Sequence, residues 1–339
     1  MAAPSDIEGL RAAWRALGGG GDGEGWQTIA VSVRAPCTLL AGRRMPGGEE
    51  AVLLGFHHVT TIPDAHLPQG HGFEVLRLPA DPTGGDHLVL ALTRRTGGSP
   101  EFFGMMAEDL LALLDGCVAE PEEGILRHFL SRIRAWQDFM DRHKEGMLSE
   151  EAEQGLFGEL MMLERMIEAG APAGSIMNAW QGPLGGLQDF VLGTGAIEVK
   201  TTLSAGGFPV TISSLEQLDE GLRQPLFVAA VRLALDASGM TLPAMADIIR
   251  GKLQNCGTAQ ELFEIRLIQA GLLPAASGQY ARRFLHVSHA MLAVEGDFPR
   301  LMRANVHRAI RKARYEIDLD LTGAVDVGMR HALELLGAA

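Results

Sequence analysis

Residues 187–202 constrain the fold of this 339-residue chain more than any other stretch. Two short apolar runs, 187–192 and 196–202, flank Gly193-Thr194-Gly195, and the pattern predicts a β-hairpin. Alternation in the second run puts Ile197 and Val199 on one face and Glu198 and Lys200 on the other. Folding back the turn brings Asp189 across from the Glu198 end. Two carboxylates and an ammonium then converge at one edge of a sheet. Charged groups withdrawn from water are costly there unless they are paired or bound to a metal.

Such a cluster suits a hard cation. Mg²⁺ takes oxygen ligands and keeps several waters, so two carboxylates and a main-chain carbonyl suffice. The ion polarises a phosphate and acidifies water, and a neighbouring ammonium offsets charge growing on phosphoryl oxygens. The choice of lysine is itself informative. Of 29 basic side chains only four are Lys, namely Lys144, Lys200, Lys252 and Lys312. A compact ammonium and a planar guanidinium are not interchangeable. Three of these lysines fall in helix-like segments without special neighbours, and Lys200 does not. Glu-x-Lys alone is equally the pattern of an exposed strand ion pair. An Asp nine positions upstream, across a turn, narrows the reading toward hydrolysis of phosphodiesters.

The preceding helix offers a fourth group. Leu156, Leu160, Leu163 and Ile167 form an apolar stripe, and Glu159 lies on or beside it. Either Glu159 reaches solvent at the boundary or it faces a local cation. Gly155 and Gly158 each weaken that helix by about 1 kcal/mol relative to Ala, which is easiest to understand if something approaches the backbone closely.

The bulk figures permit this chemistry without demanding it. Hydrophobic content is 47% and charged content 21%, ordinary for a globular protein with a sizeable core. There is no run of apolar residues long enough to span a membrane and no secretory leader pattern, and Cys37, Cys117 and Cys256 form neither a disulfide framework nor a zinc site. A cytoplasmic location is expected. The net charge of -13 is unfavourable for contact with a polyanion. Residues 280–314, however, carry seven Arg and one Lys against two acids. Arg300, Arg303, Arg308, Arg311, Lys312 and Arg314 include residues at helical spacing. They form either a surface for a nucleic-acid backbone or a solvated face.

Along the chain, strand-like runs at 27–40, 51–57, 73–78 and 87–93 precede helical patterns near 100–114, 122–144 and 150–169. Strand candidates at 226–235, 283–294 and 315–321 flank helical segments at 242–253 and 259–270. This order predicts an α/β protein: an α+β module over residues 1–120, then an α/β domain over 121–339.

Five ordered motifs carry a specific resemblance. Gly155-Leu-Phe-Gly-Glu-Leu, Ala179-Trp-Gln-Gly-Pro, Gln188-Asp-Phe, Ile197-Glu-Val-Lys-Thr-Thr and Ile212-Ser-Ser-Leu-Glu-Gln-Leu resemble the PD-(D/E)xK nuclease-like superfamily, to which restriction endonucleases belong. More narrowly they are similar to a bacterial family placed in it as domain of unknown function 4420. The resemblance implies a restriction-endonuclease-like core of mixed sheet flanked by helices. It implies Asp189 and Glu198 as metal-binding acids, Lys200 as the motif's lysine, and Glu159 as the helix acid that completes the metal site directly or through water. Gln217 would sit on a helix after the core strands, near the phosphate. Gln188 stands where the motif's name has Pro, at no loss of a ligand. Gly221, four residues after Gln217, replaces the Tyr of exonuclease-like relatives.

The implied activity is Mg²⁺-dependent endonucleolytic cleavage, with Mn²⁺ as a substitute ion and double-stranded DNA as partner. The implied setting is a bacterial restriction or phage-defence set with helper proteins, and cutting both strands with one site per chain favours a homodimer. Arg308, Arg311 and Lys312 would bind the substrate backbone. Two rivals stand beside it: a catalytically silent nucleic-acid-binding or scaffold subunit that kept the fold, and another enzyme class such as a metal-dependent hydrolase of small phosphoesters.

Overall fold

The computed structural model describes residues 7–18, 24–31, 35–59, 62–78, 88–142 and 148–338. The chain divides into two compact units, one of Met1–Gly146 with Leu273–Ala275 and one of Met147–Leu272 with Ala276–Ala339.

The first unit contains helix α1 (Ile7–Leu17) and strands β1 (Gly25–Val31), β2 (Thr38–Met45), β3 (Glu49–Phe56), β4 (Phe73–Arg77) and β5 (Leu88–Arg94), followed by helices α2 (Pro100–Gly116) and α3 (Glu122–Arg142). The strands form one antiparallel sheet in the order β1-β2-β3-β5-β4. The central strand β3 is buried along Ala51–Phe56, so it reads as an unbroken apolar run rather than an alternating one. The expected strand at 27–40 is two strands, and residues 32–34 between them lie outside the described set, as do Lys144 and His87. The boundary expected at residue 120 falls instead after Gly146. The reason is packing: Asp109 on α2 accepts from Arg132 Nη1 at 3.0 Å and Trp136 Nε1 at 2.9 Å, both on α3. Breaking that buried pair would strand a charge, so α3 belongs with the first unit.

The second unit opens with α4 (Glu150–Glu168), capped by the Ser149 hydroxyl, and the short helix α5 (Ala173–Ala179). Strands β6 (Phe190–Leu192), β7 (Gly195–Thr202), β8 (Pro209–Ile212) and β9 (Leu226–Met240) follow, then helices α6 (Leu242–Leu253) and α7 (Gly257–Ala270). Strands β10 (Phe284–Ala293) and β11 (Tyr315–Asp318) and helix α8 (Met329–Leu335) complete it. The main sheet has the order β10-β9-β7-β6, with β7 and β9 parallel and the other neighbours antiparallel. This is the mixed sheet expected from the sequence.

Helix α4 lies along β7, and a Cβ on Gly158 would overlap Thr201 Cγ2. Gly158 therefore exists for close approach; Gly155 has open space above it and no such reason. On the other face Ala196, Val228 and Ala230 pack with Val210, Ile212, Leu218, Phe298 and Leu319. Strands β8 and β11 pair with each other there as a separate two-stranded sheet.

Parallel strands cannot be joined by a tight turn. The crossover from β7 to β9 is residues 203–225, which carry β8 and then a turn. Gln217 stands in that turn and not on a helix as expected. Among the described residues no helix is long and apolar enough to cross a membrane.

Candidate active site

The hairpin sets the first two acids. Phe190 pairs with Ile197 in the β6–β7 ladder, which puts Asp189 opposite Glu198. Asp189 Oδ2 accepts the Val199 N–H at 2.7 Å, so one oxygen is fixed against the strand it faces. The Asp189 carbonyl accepts from the N–H groups of Gln181 at 2.7 Å and Gly182 at 3.1 Å. The loop before β6 is thereby strapped to the residue that starts the site.

Glu198 is 3% exposed. Its Oε1 accepts from Lys200 Nζ at 2.8 Å and from Gln217 Nε2 at 2.6 Å. Its Oε2 is buried with no hydrogen-bond partner among the described residues. Gln217 is itself held: its Oε1 accepts the Ser213 N–H at 2.8 Å, and its carbonyl accepts from Gln188 Nε2 at 3.2 Å. Gln188, 1% exposed, thus braces the turn that presents Gln217 to the acid.

Glu159 enters from α4. Its Oε2 accepts from Trp180 Nε1 at 2.7 Å, and the indole is fully buried between the rings of Phe190 and Phe263. A Cβ on Gly182 would run into Glu159 Oε2 and stand 3.2 Å from Asp189 Oδ1. Those two oxygens therefore lie no farther apart than about two water diameters, roughly 5.6 Å. Only a residue without a side chain fits at 182. Glu159, Asp189 and Lys200 keep partial access to solvent, so the cluster opens to one side.

The electrostatics follow from crowding. Burial pushes the Glu198 carboxyl up to about 8, helped by the Asp189 charge and opposed by Lys200 and Gln217. Burial pushes Asp189 up to about 6, opposed by the Val199 amide and Lys200. Glu159 is raised well above the ordinary range by burial first and then by Asp189, against the Trp180 hydrogen bond. Three acids next to one ammonium are short of positive charge.

A divalent ion fits this deficit. Among the described residues no three ligand-type side chains close into a ready-made cage. A hard ion that retains its waters does not need one, because one or two carboxylates hold it. Glu198 Oε2 is a buried acceptor without a donor among the described residues, and Asp189 Oδ1 and the Glu159 carboxylate lie close together beside Gly182.

The sequence-derived residues Asp189, Glu198, Lys200, Glu159 and Gln217 thus come together. Trp180, buried against Phe190, also holds an acid. The bracing role of Gln188 is one that sequence reasoning missed, although a polar residue directly before Asp189 is a visible signal. Arg308, Arg311 and Lys312 stand apart, exposed in a loop and not on a helix. Arg303 explains the difference, since its guanidinium donates to the Arg311 and Ile310 carbonyls, while Asn305 bonds the Met302 N–H and the Arg300 carbonyl. Side-chain bonds to nearby backbone displace the helical ones.

Comparison with curated proteins and with solved structures returns no match. A family model described as "Putative PD-(D/E)XK family member, (DUF4420)" matches residues 10–320, which is most of the chain. The motifs, the mixed sheet and this match agree, and the chain belongs to that PD-(D/E)XK-type, nuclease-like family.

Proposed function

We propose that the protein is a Mg²⁺-dependent endonuclease that hydrolyses phosphodiester bonds in double-stranded DNA, in the setting of bacterial restriction or phage defence. The observation that carries the reading is the closeness of Glu159 Oε2 to Asp189 Oδ1 beside Gly182, with Glu198 opposite Asp189 in the hairpin, its Oε1 on Lys200 and its buried Oε2 without a partner among the described residues. Asp189, Glu198 and Glu159 would hold the ion, Mg²⁺ or Mn²⁺. A bound divalent ion supplies Lewis acidity to the scissile phosphate and to water. Lys200 Nζ, held against Glu198 with partial access to solvent, orients a water for attack and offsets charge on the phosphoryl oxygens. Gln217 keeps Glu198 in place. Trp180 fixes Glu159 so that no reorganisation is needed during the reaction. Arg308, Arg311 and Lys312, which form no ion pair among the described residues, supply cations for the DNA backbone.

The test is cleavage of modified and unmodified plasmid DNA by the purified chain, with Mg²⁺ and with chelator, against Asp189→Ala and Glu198→Ala. Metal-dependent cutting by the wild type that both variants lose supports the reading. Metal-independent duplex binding without cutting would return the chain to the scaffold alternative.

A further inference from the structure

The turn between β8 and β9 uses each side chain from Leu215 to Leu218. Leu215 and Leu218 are fully buried, and Leu218 packs in the cluster that contains Phe298. Gln217 reaches Glu198. Glu216 and Glu220 reach the basic loop: Glu216 accepts from Arg303 Nε at 2.8 Å and Glu220 from Arg300 Nη2 at 2.7 Å. The Arg300 side chain is 5% exposed and also donates to the Phe298 carbonyl, and the Tyr315 hydroxyl accepts the Leu301 N–H. The base of the loop is thus fixed.

Arg303 does more than pair with an acid. Its Nη2 donates to the Arg311 carbonyl at 2.9 Å and its Nη1 to the Ile310 carbonyl at 3.4 Å. A continuous path runs from the exposed cations to the buried acid: Arg311 main chain, Arg303 guanidinium, Glu216, its neighbour Gln217, then Glu198 Oε1.

We propose that Arg303 is a positioning residue that couples backbone contact at Arg308, Arg311 and Lys312 to the placement of Gln217 and Glu198. The proposal rests on the nuclease reading above and adds a link between its two halves. As an ion pair, half-exposed Arg303–Glu216 contributes little. Its value lies in the fork, because one planar guanidinium serves a carboxylate and two carbonyls together and an ammonium cannot. Coupling of this kind is reciprocal: DNA on the loop tightens metal binding, and metal tightens DNA binding by the same factor.

The full chain is titrated calorimetrically with Ca²⁺, which replaces Mg²⁺ to suppress cutting, with and without a short duplex DNA. In the wild type the duplex should tighten Ca²⁺ binding about tenfold. Arg303→Lys keeps the charge, so its duplex affinity and salt dependence should stay within about twofold while the coupling falls below about twofold. Glu216→Gln, which cuts the same path from the other side, should also lose the coupling. Undiminished coupling in both variants overturns the proposal, as does independent binding of Ca²⁺ and duplex by the wild type; both leave the nuclease reading standing. A wild type that binds neither removes that reading and this proposal together.

Discussion

Asp189 gives one oxygen to the Val199 amide, Glu198 gives one to Lys200 and Gln217, and Glu159 gives one to Trp180. The remaining oxygens share a deficit of positive charge, and that fixes what substitutions should do. Asp189→Ala or Glu198→Ala should lower metal-dependent cleavage on the order of 10³-fold in protein that still folds and melts cooperatively. Wild-type rates in both would place the chemistry elsewhere. Lys200→Arg should be nearly as damaging as Lys200→Ala, because the guanidinium is too broad for the space beside Glu198; a plasmid-nicking assay of the two variants decides it. Protonation gives an independent check. The folded apo chain holds a proton on Glu198 up to about pH 8, whereas the unfolded chain releases it near 4.5. The native state therefore binds more protons across that window, and this contribution to stability falls as pH rises through it. Melting of wild type minus Glu198→Gln in chelator, from pH 5 to 8.5, should show that decline, and added Mg²⁺ should raise the wild-type Tm more at pH 8 than at pH 6. A pH-independent difference between the two proteins would mean that Glu198 is not desolvated.

The elements that hold these residues differ in how readable they are. Strand β7 and helix α4 announce themselves, one through alternation and the other through a stripe of Leu156, Leu160 and Leu163 with a Ser149 cap. The hairpin could be placed because its turn chemistry is local. The Gln217 turn and the loop 299–314 could not. Both are shaped by partners distant in sequence: Gln188 for the first, and Arg303 with Glu216 for the second. Regular spacing of Arg303, Arg308 and Arg311 says nothing of such bonds. The division at Gly146 was hidden for the same reason, because Asp109 claims Arg132 across 23 residues. Glycines carry a comparable lesson, since the two on α4 look alike in sequence. Gly158→Ala should destabilise by about 1–3 kcal/mol by forcing α4 off Thr201. Gly155→Ala meets open space and should stabilise by up to about 1 kcal/mol. Urea melts of the two variants check this, and equal effects would mean that α4 can shift freely over β7.

Across the whole molecule, a net charge of -13 has to coexist with binding to a polyanion. Two acids that reach the loop, Glu216 and Glu220, already face Arg303 and Arg300, while Arg308, Arg311, Lys312 and Arg314 are exposed without ion pairs among the described residues. Replacing Arg308, Arg311 and Lys312 together with Gln should weaken duplex binding and flatten the slope of log affinity against log salt by up to about 3. An unchanged slope would make the loop an ordinary solvated surface. The distribution of tryptophans across the chain has a practical use. Trp14, Trp26 and Trp136 belong to the first unit, and Trp180 is the one tryptophan of the second. Its indole N–H is bonded directly to the Glu159 carboxylate. Protonation or metal loading of that carboxylate alters the field on the ring, so the site contains its own optical probe. With Trp14, Trp26 and Trp136 changed to Phe, the remaining emission would follow occupancy of the acidic cluster in real time, without added dye or label.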